Sequence, residues 1–256
     1  MKVYTIFRKK IKIDTGNLIQ DLIRWQYFFI DNLKMRNKSI HTIKSFSIKI
    51  EDFIEFCRTQ DEIGKISEFN KMFINLFILQ TRESILKRKP KNKKSVSNWT
   101  INTYITALRV FFSFISDNND EFIDLMPLFQ KLKPLKVETE VLRFTPEENN
   151  KILSQLQKEK QSKNIKKIRN IAGIYILYFC GLRASELLNI KLEDISVISD
   201  DFFNIKVNGK GNKIRNVQIR KAILGDLLHQ ICINLKDKDR LFPITYSTLY
   251  NNTNAF

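Results

Sequence analysis

One arginine and one lysine of this 256-residue chain sit where chemistry at a phosphate could be done. The arginine lies in Gly181-Leu182-Arg183-Ala184-Ser185-Glu186-Leu187-Leu188, and the lysine in Gly209-Lys210-Gly211-Asn212-Lys213. A planar guanidinium can grip two phosphate oxygens at once, and an ammonium on a turn can neutralise charge or donate a proton.

The elements that position Arg183 begin upstream. Ile171 to Cys180 reads Ile-Ala-Gly-Ile-Tyr-Ile-Leu-Tyr-Phe-Cys, apolar on every side, which predicts a fully buried helix too short to span a bilayer. Gly181 suits the left-handed conformation that closes a helix, and a second helix is expected from about Arg183. The arginine then projects from a first turn, where unpaired amides and the helix dipole favour an anion. Glu186, three residues on, is close enough to orient it; the plainer alternative is an Arg183–Glu186 ion pair with no ligand.

Lys210 is carried by a different device. Phe203-Asn204-Ile205-Lys206-Val207 and Arg215-Asn216-Val217-Gln218-Ile219 alternate with period two, which predicts a hairpin with one packed face and one polar, basic face. Gly209 and Gly211 are expected to supply positive backbone torsions, leaving Lys210 on a mobile tip with Lys206 and Lys213 as competitors for its role.

In these ordered features the chain resembles the tyrosine recombinases and phage-type integrases, and among them the bacterial Xer branch, over most of residues 17–250. The family's Gly-Leu-Arg-x-Ser-Glu-Leu segment matches Gly181 to Leu187 residue by residue, and its Gly-Lys-Gly-x-Lys hairpin matches Gly209 to Lys213. Phe144-Thr145-Pro146-Glu147-Glu148 is similar to the start of the family's catalytic domain, and Leu241-Phe242-Pro243 to the turn before its next helix.

The resemblance implies a mainly α fold with a small three-stranded sheet. Its parts are an N-terminal extension (1–16), an all-helical core-binding, SAM-like DNA-binding domain (17–133), a linker (134–144) and an incomplete α+β catalytic domain (145–256). It implies site-specific recombination, in which a tyrosine attacks the scissile phosphate, a phosphotyrosine forms and the 5′-hydroxyl leaves. Arg183 then stabilises charge on the non-bridging oxygens, Glu186 supports it, and Lys210 is the general acid. The implied partners are double-stranded DNA and other recombinase protomers, as a tetramer on DNA in the family. No cofactor and no metal are implied.

The family completes its site with a His-x-x-Arg segment, a further His or Trp and a late tyrosine, and none of these is found in the sequence. The histidines are His41 and His229, and Cys232 stands where an arginine would follow the second; Tyr246 and Tyr250 come too early in the family's order. The expectation is a C-terminally shortened recombinase, a fragment or a natural truncation, inactive as it stands. The alternative is a DNA-binding protein without catalysis.

A net charge of +17 and a pI near 9.7 fit a polyanionic partner, although richness in Lys, Asn, Ile and Phe is also what AT-rich coding yields. An RNA-binding helical protein would explain the charge but not the ordered arginine and lysine segments. In Lys87-Arg88-Lys89-Pro90-Lys91-Asn92-Lys93-Lys94 six of eight residues are basic, so Lys91, Lys93 and Lys94 either touch phosphates or line a solvated loop. By resemblance, the helix carrying Asn98, Thr100, Asn102 and Arg109 approaches a DNA groove, and Lys213 and Arg215 of the hairpin join the DNA contacts.

Cys57, Cys180 and Cys232 are few and scattered, so reduced core thiols are expected and no disulfide framework. His229 and Cys232 supply at most two ligands where structural zinc needs four. Met1 to Ile13 mixes charge throughout and lacks a signal-peptide core, so a cytoplasmic, nucleoid-associated location is expected, with no membrane partner.

The first half supplies a scaffold of helical stripes: Leu18, Leu22, Trp25, Phe29, Leu33; Ile43, Phe46, Ile50, Phe53, Cys57; Phe69, Phe73, Leu76, Gln80 with Phe77; and Ile101, Ile105, Leu108, Phe112, Ile115. They predict a small bundle whose aromatics are core. Residues 131–144 lose the periodicity, and Thr145, Pro146 and Glu148 form a capping box that opens the second domain.

Overall fold

Short polar residues start the helices of the first half. Asn17, Ser39, Asn70 and Ser97 each accept a backbone N–H from the first turn that follows, which opens α1 (Leu18–Met35), α2 (Ile40–Arg58), α3 (Lys71–Lys87) and α4 (Asn98–Asn118). The computed structural model describes residues 12, 15–60, 62–88, 95–121, 123–130, 134–137, 143–209, 211 and 213–253. The chain divides into two units, Met1–Glu140 and Val141–Phe256.

In the first unit the apolar stripes of α1 and α4 are buried as their spacing predicts. Phe53 of α2 is fully buried, with the rings of Phe56, Phe69, Phe73, Phe77 and Phe112 at centroid distances of 6.4, 5.6, 6.3, 5.1 and 5.6 Å. These aromatics hold the bundle together. The third stripe is corrected: Leu76 is 44% exposed, whereas Ile74, Phe77 and Thr81 are buried. From Phe73 the buried line runs by fours to Phe77 and Thr81 with Ile74 beside it, so the step of three to Leu76 leaves that face. At the far end, buried Asn119 terminates α4: its amide donates to the carbonyls of Ile115, Ser116 and Ile123 and accepts from Ile123 N–H. A short helix, α5 (Pro127–Gln130), follows.

The second unit opens with the expected capping box. The Thr145 hydroxyl accepts from Glu148 N–H at 3.2 Å, and the Glu148 carboxylate accepts from Thr145 N–H at 2.8 Å, starting α6 (Pro146–Glu159). In α7 (Ile165–Cys180) only one face is buried, along Ile168, Ile171, Ala172, Tyr175 and Ile176. Tyr178 and Phe179 are 39% and 44% exposed, so the uniformly apolar segment is not a fully buried helix. At Gly173 an added Cβ would meet Leu187 and Phe242 at 3.4 Å, ordinary van der Waals contact.

After the short α8 (Ala184–Leu187), β1 (Ile195–Val197), β2 (Phe202–Asn208) and β3 (Ile214–Arg220) form an antiparallel sheet in that order. α9 (Lys221–Cys232) and α10 (Tyr246–Thr253) complete the unit. Ile205, Val207 and Ile219 face a core shared with Ile171, Ile176, Leu187, Leu224 and Phe242. The molecule is mainly helical with a small sheet, as the sequence implies. Cys57 is buried and its thiol pushed up to about 12 by desolvation, while Cys180 and Cys232 are half-buried; all three are free. No helix among the described residues is long and apolar enough to cross a membrane.

Candidate functional site

Gly181 closes α7 in the left-handed conformation, at φ 60 and ψ 34, and turns the chain so that buried Leu182 anchors the next residue. Arg183 follows in extended backbone, φ −74 and ψ 150, as the N-cap of α8 rather than a member of its first turn. Its side chain is 71% exposed, whereas that of Glu186 is 4% exposed.

The Glu186 carboxylate is held by four donors. Oε2 accepts Arg183 N–H at 2.9 Å and Arg215 Nη2 at 2.8 Å; Oε1 accepts Arg183 Nη1 at 3.1 Å and Arg215 Nη1 at 3.0 Å. A carboxylate offers about four acceptor positions, so this one is saturated. The Arg215 bonds foremost, and then those of Arg183, outweigh burial and hold the Glu186 carboxyl down to about 2.

Strand alternation explains why Arg215 is there. Arg215 lies opposite Val207 and shares the inward face of β3 with Val217 and Ile219. It is therefore not on the polar, basic face of the hairpin, and its guanidinium is directed to Glu186.

The two glycines of the tip serve different purposes. Gly211 has φ +77, the positive torsion expected of it, but Gly209 does not. A Cβ on Gly209 would lie 3.1 Å from Arg215 Nη1, 3.3 Å from Glu186 Oε1 and 3.3 Å from the Lys213 carbonyl oxygen. Gly209 is there because the ion pair passes directly beneath it, and its N–H donates to Lys213 O at 2.8 Å to close the tip.

Lys210 lies outside the described residues, as do Lys91, Lys93 and Lys94. Lys213 is exposed. In the first unit, the Asn98 amide donates to Lys136 O at 2.8 Å and accepts from Arg82 Nη2 at 3.2 Å. Asn102 both donates to and accepts from the backbone of Leu135, each at 2.8 Å. Thr100 is half-buried near the start of α4, and Arg109 places Nη2 3.4 Å from the Phe129 carbonyl. The amides of Asn98 and Asn102 thus hold residues 134–137 beside α4.

A hollow of about 640 Å³ is lined by Glu186 together with Lys191, Lys206, Asn208 and Arg240. Its cations share the space with Glu193 and Asp194, and Lys191 is paired with Glu193 at 2.9 Å, so its charge is balanced. Among the described residues Arg183 does not line it. No group of three or more potential metal ligands occurs among the described residues. What the arrangement can do chemically is present one guanidinium, on a fixed backbone, to an anion in solvent.

Residues 143–253 match the model of the phage integrase family. The chain is 46% identical over 74 residues to tyrosine recombinase XerH of Campylobacter jejuni, a match covering 29% of this chain and 21% of that protein. It is 26% identical over 222 residues to XerA of Saccharolobus solfataricus, covering 87% of this chain and 68% of the relative. With XerC of Leptospira interrogans it shares 30% over 220 residues, covering 84% and 64%. This chain therefore spans from about a fifth to about two thirds of the length of these relatives. In fold it is similar to the XerH recombinase in a post-cleavage complex with a palindromic difH substrate, with a TM-score of 0.76, 18% identity, and coverage of 95% and 80%. It is also similar to a lambda integrase dimer on a core site, with a TM-score of 0.59, 14% identity, and coverage of 91% and 80%.

Proposed function

We infer that this chain is a Xer-like tyrosine recombinase of the phage integrase family, and propose that it binds duplex DNA and sets Arg183 against a backbone phosphate for strand cleavage and rejoining. The observation that carries the reading is the saturated Glu186 carboxylate: Arg215 takes both of its oxygens, leaving the exposed Arg183 guanidinium with a single bond to it. Such a preorganised cation stabilises charge that develops on non-bridging oxygens.

Lys210 is the general acid to the leaving 5′-oxygen, and Glu186 the support of Arg183. Residues 17–133 form the DNA-binding domain and 145–256 the catalytic one, with Lys91, Lys93, Lys94, Asn98, Thr100, Arg109, Lys213 and Arg215 as the candidate DNA-binding set. Within that set Asn98 and Arg215 are engaged inside the protein, so they act by shaping the surface. The protein works on DNA in the cytoplasm, at the nucleoid, together with other recombinase protomers. The relatives' names, tyrosine recombinases, and the DNA in the two similar structures support the reading. Neither a metal nor a nucleotide is part of the scheme.

The alternative reading is DNA binding without catalysis. A nicked suicide duplex separates the two. Retention of duplex in preference to structured RNA at matched salt is expected, with Arg183→Ala weakening it. A protein–DNA adduct that survives denaturant would establish cleavage by this chain alone, and binding without adduct favours the second reading. Tighter binding to RNA would sink both.

A further inference from the structure

The first unit's exposed apolar residues on α3 have nothing beside them to indicate a partner. The three-way contact between Arg183, Glu186 and Arg215 carries more. Two guanidiniums share one buried carboxylate, and the sharing is unequal. Arg215 approaches in the parallel two-bond geometry, at 3.0 and 2.8 Å, while Arg183 uses Nη1 alone, at 3.1 Å. Their exposures differ in the same sense, 40% for Arg215 against 71% for Arg183.

We propose that Arg215 is a positioning residue that neutralises Glu186 so that the positive charge of Arg183 is left for a phosphate. This rests on the reading of Arg183 as a phosphate ligand and adds to it a reason for the hairpin arginine. The local charge makes the case. Glu186 and Arg183 alone sum to zero, and at (i, i+3) spacing a carboxylate can turn its ion partner inward. With Arg215 the cluster carries +1, and its exposed member is Arg183. Gly209 supports the arrangement, because a side chain there would push on Arg215 Nη1 and Glu186 Oε1.

The charge-balancing role makes a prediction that a merely structural role does not: removing the carboxylate should repair the loss of Arg215. Wild type, R215M, R215M/E186Q and R215M/D200N are compared for duplex DNA affinity across salt, with thermal melts to confirm folding. Asp200 is an exposed acid outside the cluster, so R215M/D200N restores net charge without touching the site.

R215M is expected to weaken binding on the order of fivefold at 0.15 M salt and to lower the salt slope by about 0.9, the equivalent of one phosphate contact. R215M/E186Q is expected to recover both values, and R215M/D200N neither. If R215M does not fold, the folded R215M/E186Q is compared directly with wild type, and the same affinity is expected. The proposal is overturned by a folded R215M that binds as wild type, by an R215M/E186Q no better than R215M, or by equal rescue from D200N. Wild type that fails to bind duplex at all would instead remove the functional reading, and this one with it.

Discussion

Arg215 and Glu186, 29 positions apart in the chain, meet through two near-parallel hydrogen bonds of 3.0 and 2.8 Å. The contact fastens the base of the hairpin tip to the turn that carries Arg183. Removing Arg215 takes away two of the four hydrogen bonds on the buried Glu186 carboxylate and leaves it to Arg183 alone.

The same contact sets a pH dependence. Glu186 is held at about 2 in the folded chain against an ordinary 4.5. A carboxyl whose folded value is depressed contributes stability above its unfolded value, and that contribution is lost as pH falls through the folded value. Wild type should therefore lose stability relative to Glu186→Gln between about pH 4.5 and pH 2, and differ from it by a constant amount above pH 6. Urea midpoints across that range check it; a difference that does not shrink on acidification contradicts the assigned pairing.

Gly209 and Gly211 should respond unequally to asparagine. Asn tolerates the left-handed backbone, and nothing lies within 4 Å of a Cβ at Gly211, so Gly211→Asn should cost less than about 1 kcal/mol. At Gly209 the obstacle is contact with Lys213 O, a backbone atom that cannot swing aside, so Gly209→Ala and Gly209→Asn should each cost about 1–3 kcal/mol. Denaturant midpoints of the three variants suffice, and equal losses at both glycines would refute the distinction.

These two glycines also show what a sequence reveals. Gly-Lys-Gly declares a tight turn, but not that only Gly211 needs the torsion, because the crowding at Gly209 comes from residues on two other segments. The Arg183–Glu186 contact is local, at (i, i+3), and was legible for that reason. The Arg215–Glu186 contact is not local, yet a signal existed: Arg215 is in phase with Val217 and Ile219, which already pointed it inward. In the bundle, the stripes of α1 and α4 were legible because every member lies inside the helix. That of α3 is ambiguous in the sequence because both Leu76 and Phe77 follow Phe73 at a helical step, and only Phe77 is buried.

Phe53 is the centre of the first unit's core, with five phenylalanine rings around it. Phe53→Ala should cost about 3–5 kcal/mol, and Phe53→Leu markedly less, since the leucine refills much of the cavity. Both tryptophans, Trp25 and Trp99, lie in this unit, so their fluorescence reports its unfolding. A loss below about 1 kcal/mol for the alanine variant would mean that the aromatic cluster is not the core it is described to be.

Asn102 gives a prediction about local rather than global stability. Its amide mimics a backbone partner, donating to Leu135 O and accepting from Leu135 N–H, both at 2.8 Å, while Asn98 holds Lys136 O next to it. Asn102→Ala removes two bonds worth about 1 kcal/mol each but places a better helix former inside α4, which returns about 0.5 kcal/mol. Global stability should thus fall by no more than about 1.5 kcal/mol, while residues 134–137 lose their main attachment to the helix. Trypsin should then cut after Lys136 on the order of tenfold faster, because cleavage follows the population of the released segment. Asn102→Asp keeps the acceptor for Leu135 N–H and loses the donor, so its rate should fall between the two. If Asn102→Ala is cleaved at the wild-type rate, the segment is held by something other than these amides.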